Sequence, residues 1–154
     1  MSKIVRTAAN IFYPFILIFG LYVVIHGHLT PGGGFQGGAV VATGTVLVII
    51  AYEYRTVSGL VTKEGMRIRE SFGLLFFGLV ALAALALGGA FFYNWLANTG
   101  ILFFGLPTPI GPNPGIFPTG GVIPLMNFAV GIEVWGGLSI IILYMLSGIQ
   151  KEGS

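Results

Sequence analysis

Charged residues in this chain are confined to a few places, and the long stretches between them set its architecture. They stand at Lys3, Arg6, Glu53, Arg55, Lys63, Glu64, Arg67, Arg69, Glu70, Glu133, Lys151 and Glu152, with none between Arg6 and Glu53 or between Glu70 and Glu133. Each gap has room for two apolar spans of about 20 residues and a loop between them. Turn-forming residues divide both gaps. In the first they are His28-Leu29-Thr30-Pro31-Gly32-Gly33-Gly34. In the second they form a Pro-rich stretch from Gly105 through Pro107, Pro109, Pro112, Pro114 and Pro118 to Pro124. The pattern predicts an all-α membrane protein, one domain over 1–154 with four transmembrane helices at about 7–27, 36–54, 71–98 and 122–148. Helices are the expected form because backbone in hydrocarbon has to satisfy its own hydrogen bonds.

Composition sharpens this picture. Of 154 residues, 55% are hydrophobic and 8% charged, against about 25% charged in an ordinary soluble domain. Cysteine is absent, which excludes disulfides, thiolate metal sites, iron–sulfur clusters and a cysteine nucleophile. A net charge of +2 is too small to imply a nucleic-acid partner. The placement of the bases says more. With four spans, both termini and the loop between helices two and three share one side, and all of Lys3, Arg6, Arg55, Lys63, Arg67, Arg69 and Lys151 fall there. The positive-inside rule then predicts cytoplasmic termini. The first span is expected to be a retained helix and not a cleaved signal: it contains Pro14 and runs into His and Pro-Gly without a small-residue cleavage site. Helices one and two do not resemble three and four, so no inverted repeat is expected. For Arg55–Glu70, an interfacial segment and an extension of helix three are both open.

The most informative segment is His26-Gly27-His28-Leu29-Thr30-Pro31-Gly32-Gly33-Gly34-Phe35-Gln36-Gly37-Gly38. Each glycine weakens an exposed helix by about 1 kcal/mol, so a compensating contact is expected. Gly34-x-x-x-Gly38-x-x-x-Ala42 and Gly33-x-x-x-Gly37 make adjacent rows of small residues, the pattern that lets helix backbones approach closely in lipid. Thr30 and Pro31 suit a helix cap and first turn, and helices of other chains are the expected neighbours of the rows. A phosphate-binding loop is excluded, because Phe35-Gln36 stand where Lys and Ser/Thr are required.

Thr30-Pro31-Gly32-Gly33-Gly34-Phe35-Gln36-Gly37-Gly38, preceded by Gly27-His28, resembles the signature of the B-type subunit of the multisubunit Na⁺/H⁺ antiporters of the Mrp or Mnh type. The same kind of subunit recurs in archaeal membrane-bound hydrogenases and related sulfur-reducing complexes. Ala51-Tyr52-Glu53-Tyr54-Arg55-Thr56-Val57 and Asn127-Phe128-Ala129-Val130-Gly131-Ile132-Glu133-Val134 are similar to the family's second-helix exit and last helix. The resemblance implies a four-helix, cofactor-free subunit in a prokaryotic plasma membrane, partnered by other membrane subunits, the lipid bilayer and Na⁺ or H⁺. Pro107–Pro124 does not match the family pattern.

Glu133 is expected about eleven residues into the last helix, near the bilayer centre. An acid there costs about 3 to more than 10 kcal/mol unless paired, hydrated or neutralised. It is either a proton or Na⁺ relay or a structural anchor for a base on another chain. His26 and His28 at the outer end of helix one can titrate near physiological pH, so either is a candidate to pass protons at the extracellular mouth, with an interfacial or cap-bonding role as the alternative. They do not share a helical face, and no further ligand completes a metal site, so no metal is expected. A cation site at Gln36 and the glycines is disfavoured, because a helix N-terminus attracts anions. Glu53, at the inner end of helix two, is an interfacial anchor or an entry point for protons. No nucleophile–base pair or cofactor motif is present. The expected function is a non-catalytic subunit contributing to the ion path and to assembly, with a purely structural scaffold as the alternative.

Overall fold

The structure, a computed structural model, describes residues 1–87, 89–100, 104–108, 110 and 115–152. It contains α1 (Lys3–Ile25), α2 (Gly34–Tyr52), the single-turn α3 (Tyr54–Val57), α4 (Lys63–Ala86) and α5 (Ile123–Glu152). Four of these, with α5 counted over Ile123–Gly148, are long and apolar enough to cross a membrane. No strand occurs among the described residues.

Three of the four long helices lie close to where the charge gaps place them; the third does not. The expected span of 71–98 is displaced toward the amino end, to Lys63–Ala86. Thr62 starts it, its Oγ1 accepting the Gly65 N–H at 3.0 Å, and Glu64 sits in the first turn, where a carboxylate suits the helix dipole. The basic stretch 63–70 is therefore helix and not an interfacial loop. At the far end the helix stops at Ala86, and the Gly89 N–H donates to Ala84 O at 3.0 Å. Ala90–Asn98 then runs in turns, and the Trp95 Nε1–H donates back to Val80 O at 3.4 Å.

The spans form a row and not a closed bundle. α1 packs along α2, α2 along α5, and α5 along α4, while α1 touches α5 only lightly. The glycine rows make these seams. A Cβ built on Gly38 would stand 2.6 Å from Gly131 O, and one on Gly20 would stand 3.1 Å from Gly37 O. Gly34 lies against the Asn127 backbone and Val130. The neighbours of both rows are thus helices of this same chain, in place of the foreign helices expected.

At the end of the row that carries Met1, Val57 and Met66 join Ile49, Ile140 and Leu143 in a buried cluster. Tyr52 donates to Asn10 Oδ1 at 2.6 Å, Lys63 to Ser147 Oγ at 2.7 Å and Arg67 to Tyr144 OH at 2.7 Å. At the opposite end Val80, Leu96 and Val122 form a second cluster.

Candidate functional site

The glycine motif folds differently from its expected cap chemistry. Helix α2 starts at Gly34 with Gly33 as its cap. Gln36 Oε1 accepts the Gly33 N–H at 2.9 Å, so its acceptor oxygen serves the helix start. Thr30 and Pro31 precede the helix instead of opening it. The Thr30 hydroxyl donates to His26 O at 3.2 Å, closing the end of α1, and Gly32 takes φ +104, which suits a residue without Cβ. The Phe35 side chain is exposed. Gly27 and Gly33 both press on the Asn127 side chain, whose Nδ2 is buried with no partner among the described residues.

Around this motif the loops at the same end of the row are stitched together. His28 Nε2 lies 3.0 Å from Phe117 O; a carbonyl only accepts, so that nitrogen carries the hydrogen. Gly120 packs on the ring, and Phe104 and Phe117 stand beside it. His28 Nδ1 is buried without a partner among the described residues. His26 stacks on Tyr22 and points Nδ1 at Tyr22 O, 3.2 Å away. Asn94 clamps the start of α5, its Nδ2–H donating to Gly120 O at 3.0 Å and its Oδ1 accepting the Val122 N–H at 2.8 Å. Of the Pro-rich stretch, Pro109 and residues 111–114 lie outside the described residues.

Glu133 lies on α5 where α4 crosses it. A Cβ on Gly73 would stand 2.6 Å from Glu133 N, and one on Gly136 would stand 2.7 Å from Glu70 N. The two glycines let the backbones touch and bring a second carboxylate to the seam. Glu70 Oε1 is 3.3 Å from a Cβ position on Gly137, one helical turn from Glu133. Both acids are partly buried, and neither has a hydrogen-bond or ion-pair partner among the described residues. Reading helix three as starting at Ser71 hides Glu70; the Thr62 cap and the Met66, Glu70, Gly73 spacing are the signals that reveal it.

Glu53 is remote from this pair. It takes φ 66 at the break between α2 and α3, and its exposed carboxylate meets the Met1 amino group at 3.2 Å. Such exposed pairs contribute little to stability. On the opposite side of α5 from Glu133, the Trp135 Nε1–H donates to Thr45 Oγ1 at 2.9 Å, tying α5 to α2.

Four long apolar spans held together by glycine seams define a polytopic membrane protein. Residues 4–140 match the family described as a domain related to the MnhB subunit of Na⁺/H⁺ antiporter, and the chain belongs to that family. The corresponding Na⁺/H⁺ antiporter subunit of Bacillus subtilis is 33% identical over 88 residues, 57% of this chain and 61% of that protein. An uncharacterised protein of Methanocaldococcus jannaschii is 35% identical over 124 residues, 80% of this chain and 44% of that one. A chain in the structure of the membrane-bound sulfane sulfur reductase, an archaeal respiratory membrane complex, superimposes with a TM-score of 0.69 at 35% identity, covering 92% of this chain and 56% of that chain. The chain thus spans roughly half to three-fifths of the length of these relatives.

Proposed function

We propose that this protein is a non-catalytic membrane subunit of a multisubunit cation/proton antiporter module, of the stand-alone type or coupled to a redox complex. It sits in a prokaryotic plasma membrane with both termini cytoplasmic. Its relatives are named as antiporter subunits and as part of a respiratory complex, and all its bases stand at the inner end of the row. The observation that carries an ion-path role is the unpaired Glu70–Glu133 pair on the α4–α5 seam. Two acids at one helix crossing, about one turn apart, form a relay that accepts a proton or Na⁺ at one and passes it to the other. An intramembrane acid without a partner is otherwise too costly to keep.

The test is Glu133→Gln in the intact complex, with cation-driven proton movement followed in inverted membrane vesicles. Transport falls by at least about tenfold while the complex is recovered in normal amount. Undiminished transport makes Glu133 an anchor and leaves the scaffold reading, which the open row and its exposed apolar faces favour. The glycine motif serves packing in either reading. His28, with its ring held by Phe117 O, serves to hold the outer loops together, and His26, His28 and Glu53 take no relay step.

A further inference from the structure

The strongest unexplained group in the molecule is a cation. Arg69, in the second turn of α4, is partly buried, and its guanidinium lies 4.9 Å from the centroid of the Trp135 ring. Its Nη1 reaches only the Met66 sulfur, at 3.8 Å. No carboxylate stands within ion-pair distance of it among the described residues. A guanidinium has five N–H donors in a rigid fork, and thioether sulfur is a weak acceptor, so most of that capacity is unused. The chain's two intramembrane acids do not fill it: Glu133 and Glu70 contact α4 and α5 through Gly73, Gly136 and Gly137, on the flank of α5 away from Trp135.

The space in front of Arg69 is a cavity of about 330 Å³ lined by Tyr13 of α1, Thr45 of α2 and Trp135 of α5, with Val57 and Leu60 at its inner end. Tyr13 and Arg69 come to it from the two outermost helices of the row, α1 and α4, and the Trp135–Thr45 bond joins the two helices between them. Thr45 is about 10 Å inside the inner end of α2. Two features of this cavity choose its occupant. Apart from Tyr13, Thr45, Arg69 and the already bonded Trp135 N–H its lining is apolar, and the unused donors of the guanidinium match a planar two-oxygen acceptor. The carboxylate of an Asp or Glu on a membrane-spanning helix is such an acceptor, carried on an otherwise apolar segment that suits the rest of the lining.

From this we infer that the Tyr13–Thr45–Arg69–Trp135 cavity is a docking socket for a transmembrane helix of a neighbouring subunit, which inserts an Asp or Glu side chain to pair with the Arg69 guanidinium over the Trp135 ring. The inference rests on the subunit reading above and is independent of the Glu70–Glu133 relay.

The test uses the complex in its own membrane. A photoreactive benzoylphenylalanine replaces Tyr13, leaving Arg69 intact, and the adduct formed on irradiation is mapped by mass spectrometry. The expected adduct lies on a transmembrane segment of another subunit within about one turn of an Asp or Glu. Arg69→Gln then lowers co-purification of that subunit by about tenfold or more, Arg69→Lys retains much of it, and exchanging the two charges between the chains restores it. Adducts with lipid alone, adducts on a segment without a nearby acid, or full recovery of the complex with Arg69→Gln each overturn the inference while partners still co-purify with the unaltered chain. Isolation of the unaltered chain without any partner overturns the subunit reading itself, and the socket with it.

Discussion

Gly38 of α2 and Gly131 of α5 meet backbone to backbone: a Cβ on Gly38 would stand 2.6 Å from the Gly131 carbonyl oxygen. In lipid, where apolar side chains gain little by leaving one solvent for a similar one, such approach is a main source of helix association. It gives the motif glycines a physical reason within the chain itself.

Gly38→Leu is therefore expected to separate α2 from α5. Backbone cannot yield as a flexible side chain does, so the cost is at or above the roughly 1–3 kcal/mol of an overpacked core. Gly78, with nothing within 4 Å of a Cβ, is the control. Membrane levels of the chain and its thermal midpoint in detergent fall for Gly38→Leu and stay unchanged for Gly78→Ala; equal behaviour of the two would refute close packing as the role of the row.

The Trp135–Thr45 hydrogen bond gives a second, smaller expectation. Thr45 is 4% exposed, so Thr45→Val leaves the indole N–H without its partner and costs about 1–3 kcal/mol. Trp135→Phe added to it costs less than the sum of the two single changes, because both remove one interaction. Thermal unfolding of the four proteins in a matched detergent measures the coupling, and strict additivity would mean the bond is absent.

Asn94 holds two backbone groups on either side of Gly121, itself at φ +63. Asn94→Ala frees the Gly120 carbonyl and the Val122 amide, so hydrogen exchange at residues 119–126 quickens by about one to two orders of magnitude. Exchange at the far ends of α4 and α5, near Lys63 and Ser147, is unaltered. Unchanged exchange near Val122 would place the hold on the loop elsewhere.

Glu70→Gln tests the relay from its other member. With both acids in one path, Glu70→Gln and Glu133→Gln each reduce transport by about tenfold or more, and the double change is little worse than either single one. Multiplicative losses would show two independent roles. Normal transport with Glu70→Gln leaves Glu133 without its partner.

The four spans are legible because formal charges are expensive in hydrocarbon, so the two uncharged gaps mark what is inside it. That signal fails at the ends of α4. Lys63–Glu70 is charged and helical at once, and charge density cannot tell a solvated helical turn from a loop; the Thr62 cap does. Beyond Leu87 the residues stay apolar, and composition does not register that the chain has turned back at Gly89 toward Trp95 and Val80. Glu70 disappears with that misplaced boundary. The glycine spacing shows that one side of α2 packs tightly, but a period names a face and not the helix that covers it. Gly20 and Gly131, the covering residues, are isolated glycines without a row of their own.

The position of α5 in the row has a consequence for how the protein is made. It leaves the ribosome after α4, yet it fills the gap between α2 and α4. A nascent chain that has completed α4 therefore consists of an α1–α2 hairpin and a solitary third span, with Gly34, Gly38 and Gly73 still bare toward the bilayer. Placing α5 is thus an insertion between existing pieces and not an addition at the edge, and any insertase or protease that surveys the chain meets the vulnerable intermediate before residue 123 is in place.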